Sequence, residues 1–182
     1  MSDSRSDEHA TGPMVVGGGD TAQLDLSQIR REYASSNLRR AHLDDNPIDQ
    51  FGAWMHDAVE SPHPEPTAMT LATIGEDGMP AARVVLLKGF DTRGFRFFTN
   101  YQSRKGRELD AHLKASVCFF WPELHRQVRI DGTIERVDRD ESADYFQTRP
   151  HASQVSAMAS PQSRPVQDRA ELERRHREIQ NQ

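Results

Sequence analysis

The sequence is poor in cysteine and contains no long hydrophobic run. Its single cysteine, Cys118, cannot form an intrachain disulfide, which fits a reducing compartment. No apolar segment approaches the about 20 residues needed to cross a bilayer, and the first residues lack the charged and apolar regions of a secretory signal. We therefore expect a cytoplasmic protein with no membrane partner.

Excess positive charge and the common catalytic motifs are absent too. The 28 acidic and 23 basic residues give a formal net charge of -5, which argues against a general nucleic-acid-binding protein. The eight histidines show no HxxxH spacing and the chain has no CxxC pair, so we expect no metal site. Neither a GxSxG nucleophile motif nor a GxGxxG dinucleotide loop occurs. These motifs therefore supply no candidate catalytic side chain.

Hydrophobic residues make up only 35% of the chain, which indicates that part of it lies outside a packed core. Residues 1–25 are polar and glycine-rich and lack a sustained apolar period, which predicts a disordered N-terminal tail. Residues 26–182 are long enough for one domain with a core but short for two. We expect one folded domain over that range.

Segments rich in β-branched and aromatic residues predict strands. They cover residues 68–74, 82–90, 95–100, 115–121 and 126–137. In the last of these, Val128 and Ile130 alternate with Arg129 and Asp131, as in a strand with one solvent-exposed face. Short turns separate the strands, so neighbours should pair antiparallel. The pattern predicts a mainly β fold with peripheral helices, of the α+β class, built on an antiparallel barrel.

Helices are predicted at four places around the strands. Asn46 can cap a helix whose first residue is Pro47, and Ser103 can cap a short helix over residues 103–114. The segment DESADYFQTRP predicts one helix that Pro150 ends, and the last residues, from 168 onward, predict another. The last helix has a thin apolar stripe and needs a partner surface.

Two basic segments are candidate anion sites. RVVLLKGF (83–90) has Arg83 and Lys88 at the ends of an aliphatic run, and in NYQSRKGRE (100–108) Arg104 and Lys105 begin a predicted helix. Free amides, the helix dipole and side-chain charge all favour a phosphate at such a position. The alternative is that these four cations are solvated surface charges.

A third candidate lies in YFQTRPHAS (145–153). Tyr145 and Arg149 are four residues apart, which puts them on one face of a helix, and Ser153 follows Pro150 closely. Two hydroxyls and a guanidinium would suit a second phosphate. The alternative is a packed tyrosine and a surface arginine.

Taken in order, several segments resemble the pyridoxine/pyridoxamine 5'-phosphate oxidase family. The segments are RREY (30–33), PTAMTLAT (66–73), RVVLLKGF (83–90), FFTNYQSRKGREL (97–109), FFWPELHRQVRIDGTIERV (119–137) and YFQTRPHASQVSAMASPQS (145–163). The resemblance covers about residues 27 to 167. It implies a homodimeric split barrel of the FMN-binding type, with FMN in clefts between the two subunits.

The resemblance also implies residue roles. The residues implied to contact FMN are Arg83, Val84, Val85, Leu86, Leu87, Lys88, Phe98, Thr99, Arg104, Lys105, Gln127, Gln162 and Ser163. Those implied to contact substrate are Lys88, Tyr145, Arg149 and Ser153, together with Arg30, Arg31, Glu32 and Tyr33 of a segment that closes over it. Phe98 stands where the family has a tyrosine, so the contact made by that phenol is lost.

The activity implied by the resemblance is oxidation of pyridoxine or pyridoxamine 5'-phosphate to pyridoxal 5'-phosphate, in vitamin B6 salvage. Hydride would pass from C4' of the substrate to flavin N5, and O2 would reoxidise the flavin to give H2O2, with ammonia released from the amine. The flavin carries this chemistry, so no catalytic side chain is implied.

One departure from the family pattern lies at the end of the sequence. Family members continue into a segment resembling WGG...EFWQG...RLHDR, which supplies further strands and further flavin and substrate contacts, and the sequence stops at Gln182 without it. Either the sequence is a truncated piece of a longer chain or the natural chain is shorter, and in the second case we expect exposed sheet edges, weak FMN binding and low or no oxidase activity. The alternative function is a non-catalytic protein that binds FMN or pyridoxal 5'-phosphate.

Overall fold

The computed structural model describes residues 38–181 of the chain. The predicted tail, residues 1–25, and the RREY segment lie outside the described residues. The strands are β1 (Ala68–Ile74), β2 (Pro80–Leu86), β3 (Gly89–Asp91), β4 (Gly94–Arg96), β5 (Lys114–Trp121) and β6 (Arg126–Thr133). The α-helices are α1 (Pro47–Glu60), α2 (Arg104–Ala111), α3 (Arg139–Thr148), α4 (His151–Ala159) and α5 (Arg169–Gln180). Short 3-10 helices cover Arg40–His42 and Pro122–Leu124.

Helix α1 begins where the sequence predicted. The Asn46 side chain accepts a hydrogen bond from the amide of Ile48, and Pro47 occupies the first turn, where its missing N–H costs nothing. Phe51 and Met55 point into the core, since they lie four residues apart on one face. Ala58 completes the buried face of the helix.

Strands β1, β2, β5 and β6 form one antiparallel sheet in the order β2-β1-β5-β6. The β1–β2 hairpin pairs Thr70 with Val84, and the turn between the strands contains Gly78 at φ 77°, which a residue with a Cβ rarely adopts. Burial alternates along β1, whose inward-facing Met69, Leu71 and Thr73 are buried. One sheet face therefore packs on the core and the other faces outward.

The predicted strands at 82–90 and 95–100 are shorter in the structure. The amide of Leu87 donates to the carbonyl of Thr67, on the β1 side, whereas the next amide, of Lys88, donates to the carbonyl of Arg96. The chain therefore leaves the large sheet at this point and pairs β3 with β4 in a separate two-stranded sheet. The prediction of one continuous strand was wrong because hydrophobicity alone does not reveal this change of partner.

The core lies between α1, the inner face of the large sheet and the β3–β4 hairpin. Phe51 contacts Phe90 and Phe95 edge-on, with ring centroids 4.9 Å and 4.8 Å apart. Phe119 and Trp121 are fully buried in the same cluster, and the indole N–H of Trp121 donates to the carbonyl of Pro66 at 2.9 Å. Aromatic packing thus holds the two sheets and α1 together.

The region after β6 contains two helices where the sequence predicted one. Helix α3 ends at Thr148, and Arg149 is extended, with φ -73° and ψ 146°. Because Pro150 fixes its own φ near the helical value and lacks an N–H, it also suits the start of the next helix, α4. The expectation that Tyr145 and Arg149 share a helix face was therefore wrong. Ser153 lies on α4 rather than in a loop.

Helix α5 is present as predicted, with Asp168 capping the amide of Glu171. It packs against α4. Across residues 38–181, none of the helices has both the length and the apolar character needed to span a bilayer.

Candidate functional site

A cavity of about 1210 Å³ lies beside the C-terminal end of β2, at Val84, Val85 and Leu86. Its walls come from β2, from the segment between β4 and α2, from the first turn of α2, and from α3 and α4. The predicted site residues that line it are Val84, Val85, Leu86, Lys88, Phe98, Thr99, Lys105, Tyr145, Arg149, Ser153 and Gln162. Residues from all three candidate anion segments, 83–90, 100–108 and 145–153, therefore line one cavity.

The cavity lining is strongly positive. Its charged residues are Lys88, Lys105, Arg136, Arg139 and Arg149, and no aspartate or glutamate from residues 38–181 lines it. This contrasts with the formal charge of -5 on the whole chain. A concave surface lined by one sign of charge concentrates the field on ions of the opposite sign. The cavity is therefore suited to an anionic ligand.

Arg83 and Arg104 do not line the cavity themselves, and they share one buried carboxylate. Glu108 accepts hydrogen bonds from Arg83 Nη2 and Arg104 Nε, both at 2.7 Å. It also accepts a bond from the Thr73 hydroxyl at 2.6 Å. Arg83 extends the network, since its Nη1 donates to Thr73 and to the carbonyl of Leu71. The network joins β1, β2 and α2.

The pKa values in this region reflect both burial and charge. Burial opposes ionisation of Glu108, but the hydrogen bonds from Thr73, Arg104 and Arg83 outweigh it and hold the pKa of the carboxyl below its ordinary value. Burial, followed by repulsion from Arg83, lowers the pKa of Lys105. Positive charge is therefore crowded near Lys105, and an anion bound there would relieve the repulsion.

The start of α2 is built as predicted. The Ser103 hydroxyl accepts from the amide of Gly106 at 3.2 Å, and the same hydroxyl donates to the carbonyl of Asn100. Gly106 is required here, because a Cβ at this position would lie 2.2 Å from the carbonyl oxygen of Tyr101. Lys105 reaches across the cavity from this turn, and its Nζ donates to Gln162 Oε1 at 3.2 Å.

The predicted substrate residues that follow β6 also line the cavity. The rings of Phe98 and Tyr145 stack, with centroids 3.7 Å apart and planes 6° apart. The Arg149 main chain is held by Gln154, whose side-chain amide donates to the Arg149 carbonyl at 2.8 Å. Tyr145, Arg149 and Ser153 all line the cavity although they belong to α3, the junction and α4.

Some predicted site residues do not line the cavity. These are Arg83, Leu87, Arg104, Gln127 and Ser163. Ser163 lies directly after Gln162 and has a left-handed backbone, with φ 66°. Leu87 is buried in the core. The predicted substrate residues Arg30, Arg31, Glu32 and Tyr33 lie outside the described part of the chain.

Gln127 lies far from the cavity, on the opposite edge strand of the large sheet. It pairs with Phe120 of β5, so both side chains project from the same face of the sheet. That face is the outer one, and Phe120 is 62% exposed. Within a single chain, the structure therefore does not bring Gln127 to the other predicted site residues.

The sequence reasoning missed several residues. Arg136 and Arg139 line the cavity, and Arg136 lies over the Tyr101 ring at 4.5 Å while two of its contacts go to Asp110. Glu108 was also missed, although one signal was available. It is the only acid in the run SRKGREL, and it falls four residues after Arg104, on the same helix face.

Comparison with known proteins identifies the family of the chain. The family model described as pyridoxamine 5'-phosphate oxidase matches residues 55–182, well over half of the chain. The chain belongs to this family. The sequence-based resemblance to it is confirmed.

Curated relatives within the family are similar along most of the chain. A pyridoxine/pyridoxamine 5'-phosphate oxidase of Salinibacter ruber is 53% identical over 148 residues, which are 81% of this chain and 69% of that protein. The enzyme of the same name from Thermosynechococcus vestitus is 55% identical over 150 residues, 82% of this chain and 71% of the relative.

Solved structures confirm the fold class. PhzG of Burkholderia lata, solved with tetrahydrophenazine-1-carboxylic acid, superposes with a TM-score of 0.75 at 30% identity, covering 81% of this chain and 74% of that one. A pyridoxamine 5'-phosphate oxidase-related, FMN-binding protein of Nostoc punctiforme has a TM-score of 0.55 at 22% identity and covers 70% of each chain. The second likeness supports the fold alone. The antiparallel split barrel with peripheral helices is the architecture of this chain.

Proposed function

We propose that the protein oxidises pyridoxine or pyridoxamine 5'-phosphate to pyridoxal 5'-phosphate, with FMN as cofactor and O2 as the final acceptor. The products would include H2O2 and, from the amine, ammonia. The observation that carries the proposal is the large cavity with five cations and no carboxylate among its described lining residues. A cofactor and a substrate that each carry a phosphate need such a site.

The residues present fit FMN. The cavity volume of about 1210 Å³ exceeds the roughly 300 to 1,000 Å³ of an ordinary small-molecule site, which leaves room for a flavin and a second ring. Apolar side chains of β2, such as Val84 and Leu86, line it beside polar Thr99 and Gln162. Mixed walls of this kind suit a flat ring system with polar edges.

Arg83, Arg104 and Lys105 would hold the FMN phosphate. The first turn of α2 offers free amides and the positive end of the helix dipole, and Lys105 points into the cavity there. Arg83 lies close enough to Lys105 to lower its pKa. The alternative of a solvated surface cation fits Arg83 poorly, because its side chain is mostly buried and hydrogen-bonded, whereas the Arg104 side chain is exposed apart from its bond to Glu108.

Lys88, Tyr145, Arg149 and Ser153 would hold the substrate phosphate. Two hydroxyls, a guanidinium and an ammonium line the cavity, and a phosphate accepts hydrogen bonds well from such donors. Substrate binding to these donors would orient the reacting carbon toward the flavin, and orientation is the main contribution expected of this protein. Bound FMN supplies the electron acceptor, so the chain itself needs no nucleophile.

We propose that the protein acts as a homodimer in the cytoplasm, with FMN between subunits. The outer face of the large sheet supports this proposal, because Val84 is 65% and Phe120 62% exposed there. Gln127 lies on that face, remote from the cavity of its own chain. A second subunit on this face could bring its Gln127 to the cofactor. The remaining predicted contacts, Leu87 and Ser163 among them, remain predictions.

The relatives do not favour the alternative of a non-catalytic binding protein, because those named above are oxidases. The deciding experiment is anaerobic. The 182-residue protein, reconstituted with FMN, is mixed with pyridoxine 5'-phosphate while the visible flavin band is recorded. Bleaching that reverses in air is expected for the oxidase. An unchanged band, with FMN shown to be bound, would contradict the proposal and favour the binding protein.

A further inference from the structure

Glu108 is the most deeply buried charged group near the site. Its residue is 3% exposed, and both carboxylate oxygens are engaged. Oε2 accepts from Arg83 Nη2 and the Thr73 hydroxyl, and Oε1 accepts from Arg104 Nε. A buried carboxylate is costly unless it is paired and hydrogen-bonded in this way. The arrangement therefore needs an explanation beyond surface charge balance.

We infer that Glu108 is a positioning residue, which fixes the guanidinium groups of Arg83 and Arg104 for recognition of the FMN phosphate. The inference rests on the proposed function, since it takes those arginines as phosphate ligands. It adds a residue that does not touch the cofactor but determines the directions of the donors that do.

The geometry supports this role because Glu108 holds each arginine by part of its donor set. Arg104 is bound through Nε, and among residues 38–181 its Nη1 and Nη2 have no hydrogen-bond partner, while the side chain is 60% exposed. A guanidinium anchored at one edge presents its other edge in a fixed direction. Arg83 comes from β2 and Arg104 from α2, so one carboxylate links both, while Thr73 and the Leu71 carbonyl also hold Arg83.

The charge balance makes it possible to test whether Glu108 acts through its charge or by fixing donor directions, because the two roles change phosphate affinity in opposite directions. Arg83, Arg104 and Lys105 carry three positive charges and Glu108 one negative charge, so the group is left at about +2, which matches a phosphate dianion. Removing the Glu108 charge would raise the attraction for phosphate if charge alone mattered. It would weaken phosphate binding if the carboxylate mainly fixes donor directions.

The experiment compares FMN with riboflavin, which lacks the phosphate. Flavin fluorescence titrations of the full chain would be run with the parent, Glu108→Gln and Glu108→Asp. Glutamine removes the charge at nearly constant shape, whereas aspartate keeps the charge but shortens the reach. We expect both variants to raise the Kd for FMN by roughly tenfold or more, while the Kd for riboflavin changes by less than about twofold.

The matched control is Glu173→Gln, which removes an exposed carboxylate paired with Arg169 on α5 at 2.7 Å. Both flavin affinities should be unchanged in this variant. The selective loss of FMN affinity is the readout that a merely structural role of Glu108 would not give.

Three outcomes would overturn the inference. FMN affinity that is unchanged or higher in Glu108→Gln would mean that Glu108 acts through charge or not at all. An equal loss of FMN and riboflavin would assign it a structural role. A parent protein that does not prefer FMN to riboflavin would overturn the proposed phosphate site, and the inference with it. In the first two cases a parent that prefers FMN still supports the proposed phosphate site, and only the role of Glu108 is removed.

Discussion

The ring of Phe98 stacks on the ring of Tyr145, with centroids 3.7 Å apart. The first residue belongs to the implied flavin contacts and the second to the implied substrate contacts. The stack therefore joins the segment after β4 to α3 in the wall of the cavity. The Tyr145 position is set by ring packing, so its hydroxyl can be tested separately from its ring.

Tyr145→Phe should keep the stack and remove the hydroxyl. We expect KM for pyridoxine 5'-phosphate to rise roughly tenfold, the value of one hydrogen bond to a charged group, with FMN affinity unchanged. Steady-state kinetics and a flavin titration check this result. A normal KM would mean that the hydroxyl does not contact the substrate phosphate.

Arg149→Ala should raise KM for substrate far more than it changes the Kd for FMN. The guanidinium lines the cavity beside Tyr145 and would contribute a charged fork to the substrate phosphate, so a loss of about 2 kcal/mol, or roughly thirtyfold, is expected. The measurements are again steady-state kinetics for substrate and a flavin titration for FMN. Equal losses for cofactor and substrate would contradict the assignment of Arg149 to substrate alone.

Arg83→Ala should weaken FMN more than substrate. It removes a guanidinium from the proposed cofactor phosphate site and leaves Glu108 with one ionic partner fewer. We expect the Kd for FMN to rise at least about tenfold, with KM measured at saturating FMN changed less. Arg126→Ala, which breaks the Asp57 ion pair elsewhere, is the control. FMN titration that matches the parent would exclude Arg83 from the cofactor site.

Gly106→Ala should destabilise the fold although alanine is the better helix former. The new Cβ would lie 2.2 Å from the carbonyl oxygen of Tyr101, so the loop or the helix must shift. We expect a loss of about 1 to 3 kcal/mol in the free energy of unfolding by urea. Gly132→Ala is the control, because nothing lies within 4 Å of its Cβ position. A loss no larger than that of the control would show that the loop accommodates the methyl group.

Glu108 should make stability depend on pH in the acid range. Its pKa is lower in the folded protein than the ordinary value of 4.5, so the folded state favours the ionised form. That stabilisation is fully present above about pH 4.5 and is lost as pH falls through the folded pKa. Glu108→Gln should cost about 3 kcal/mol near neutral pH, and less as the pH is lowered. Urea unfolding at several pH values measures this difference, which should be constant if Glu108 does not contribute.

Local sequence signals predicted the starts of α1, α2 and α5 and most of the large sheet. The caps at Asn46 and Ser103 depend on side chains within three residues of their partners, so the sequence contains the whole interaction. The hairpin of β1 and β2 is equally local. The end of β2 was not predictable, because it depends on Thr67 and Arg96 accepting bonds from consecutive amides.

The candidate site, like the fold, has parts that depend on local sequence and parts that depend on long-range contacts. The short motifs contained Lys105, Tyr145 and Arg149. The resemblance of several ordered segments to one protein family implied that these residues belong to one site. Glu108 and Arg136 escaped notice because their roles depend on contacts over long sequence separations, such as that between Arg83 and Glu108, 25 residues apart. A candidate phosphate-binding cation is visible in one sequence, but its contact with a buried anion far along the chain is not.

The change of partner between consecutive amides also affects Lys88. The Leu87 amide is bonded to Thr67 and the Lys88 amide to Arg96, so the main chain at Lys88 is held from both sheets at once. Backbone freedom at this residue is therefore lost when the protein folds, and only the side chain remains to be ordered when a ligand binds. The two-sheet architecture thus fixes the main chain from which one cation of the cavity projects.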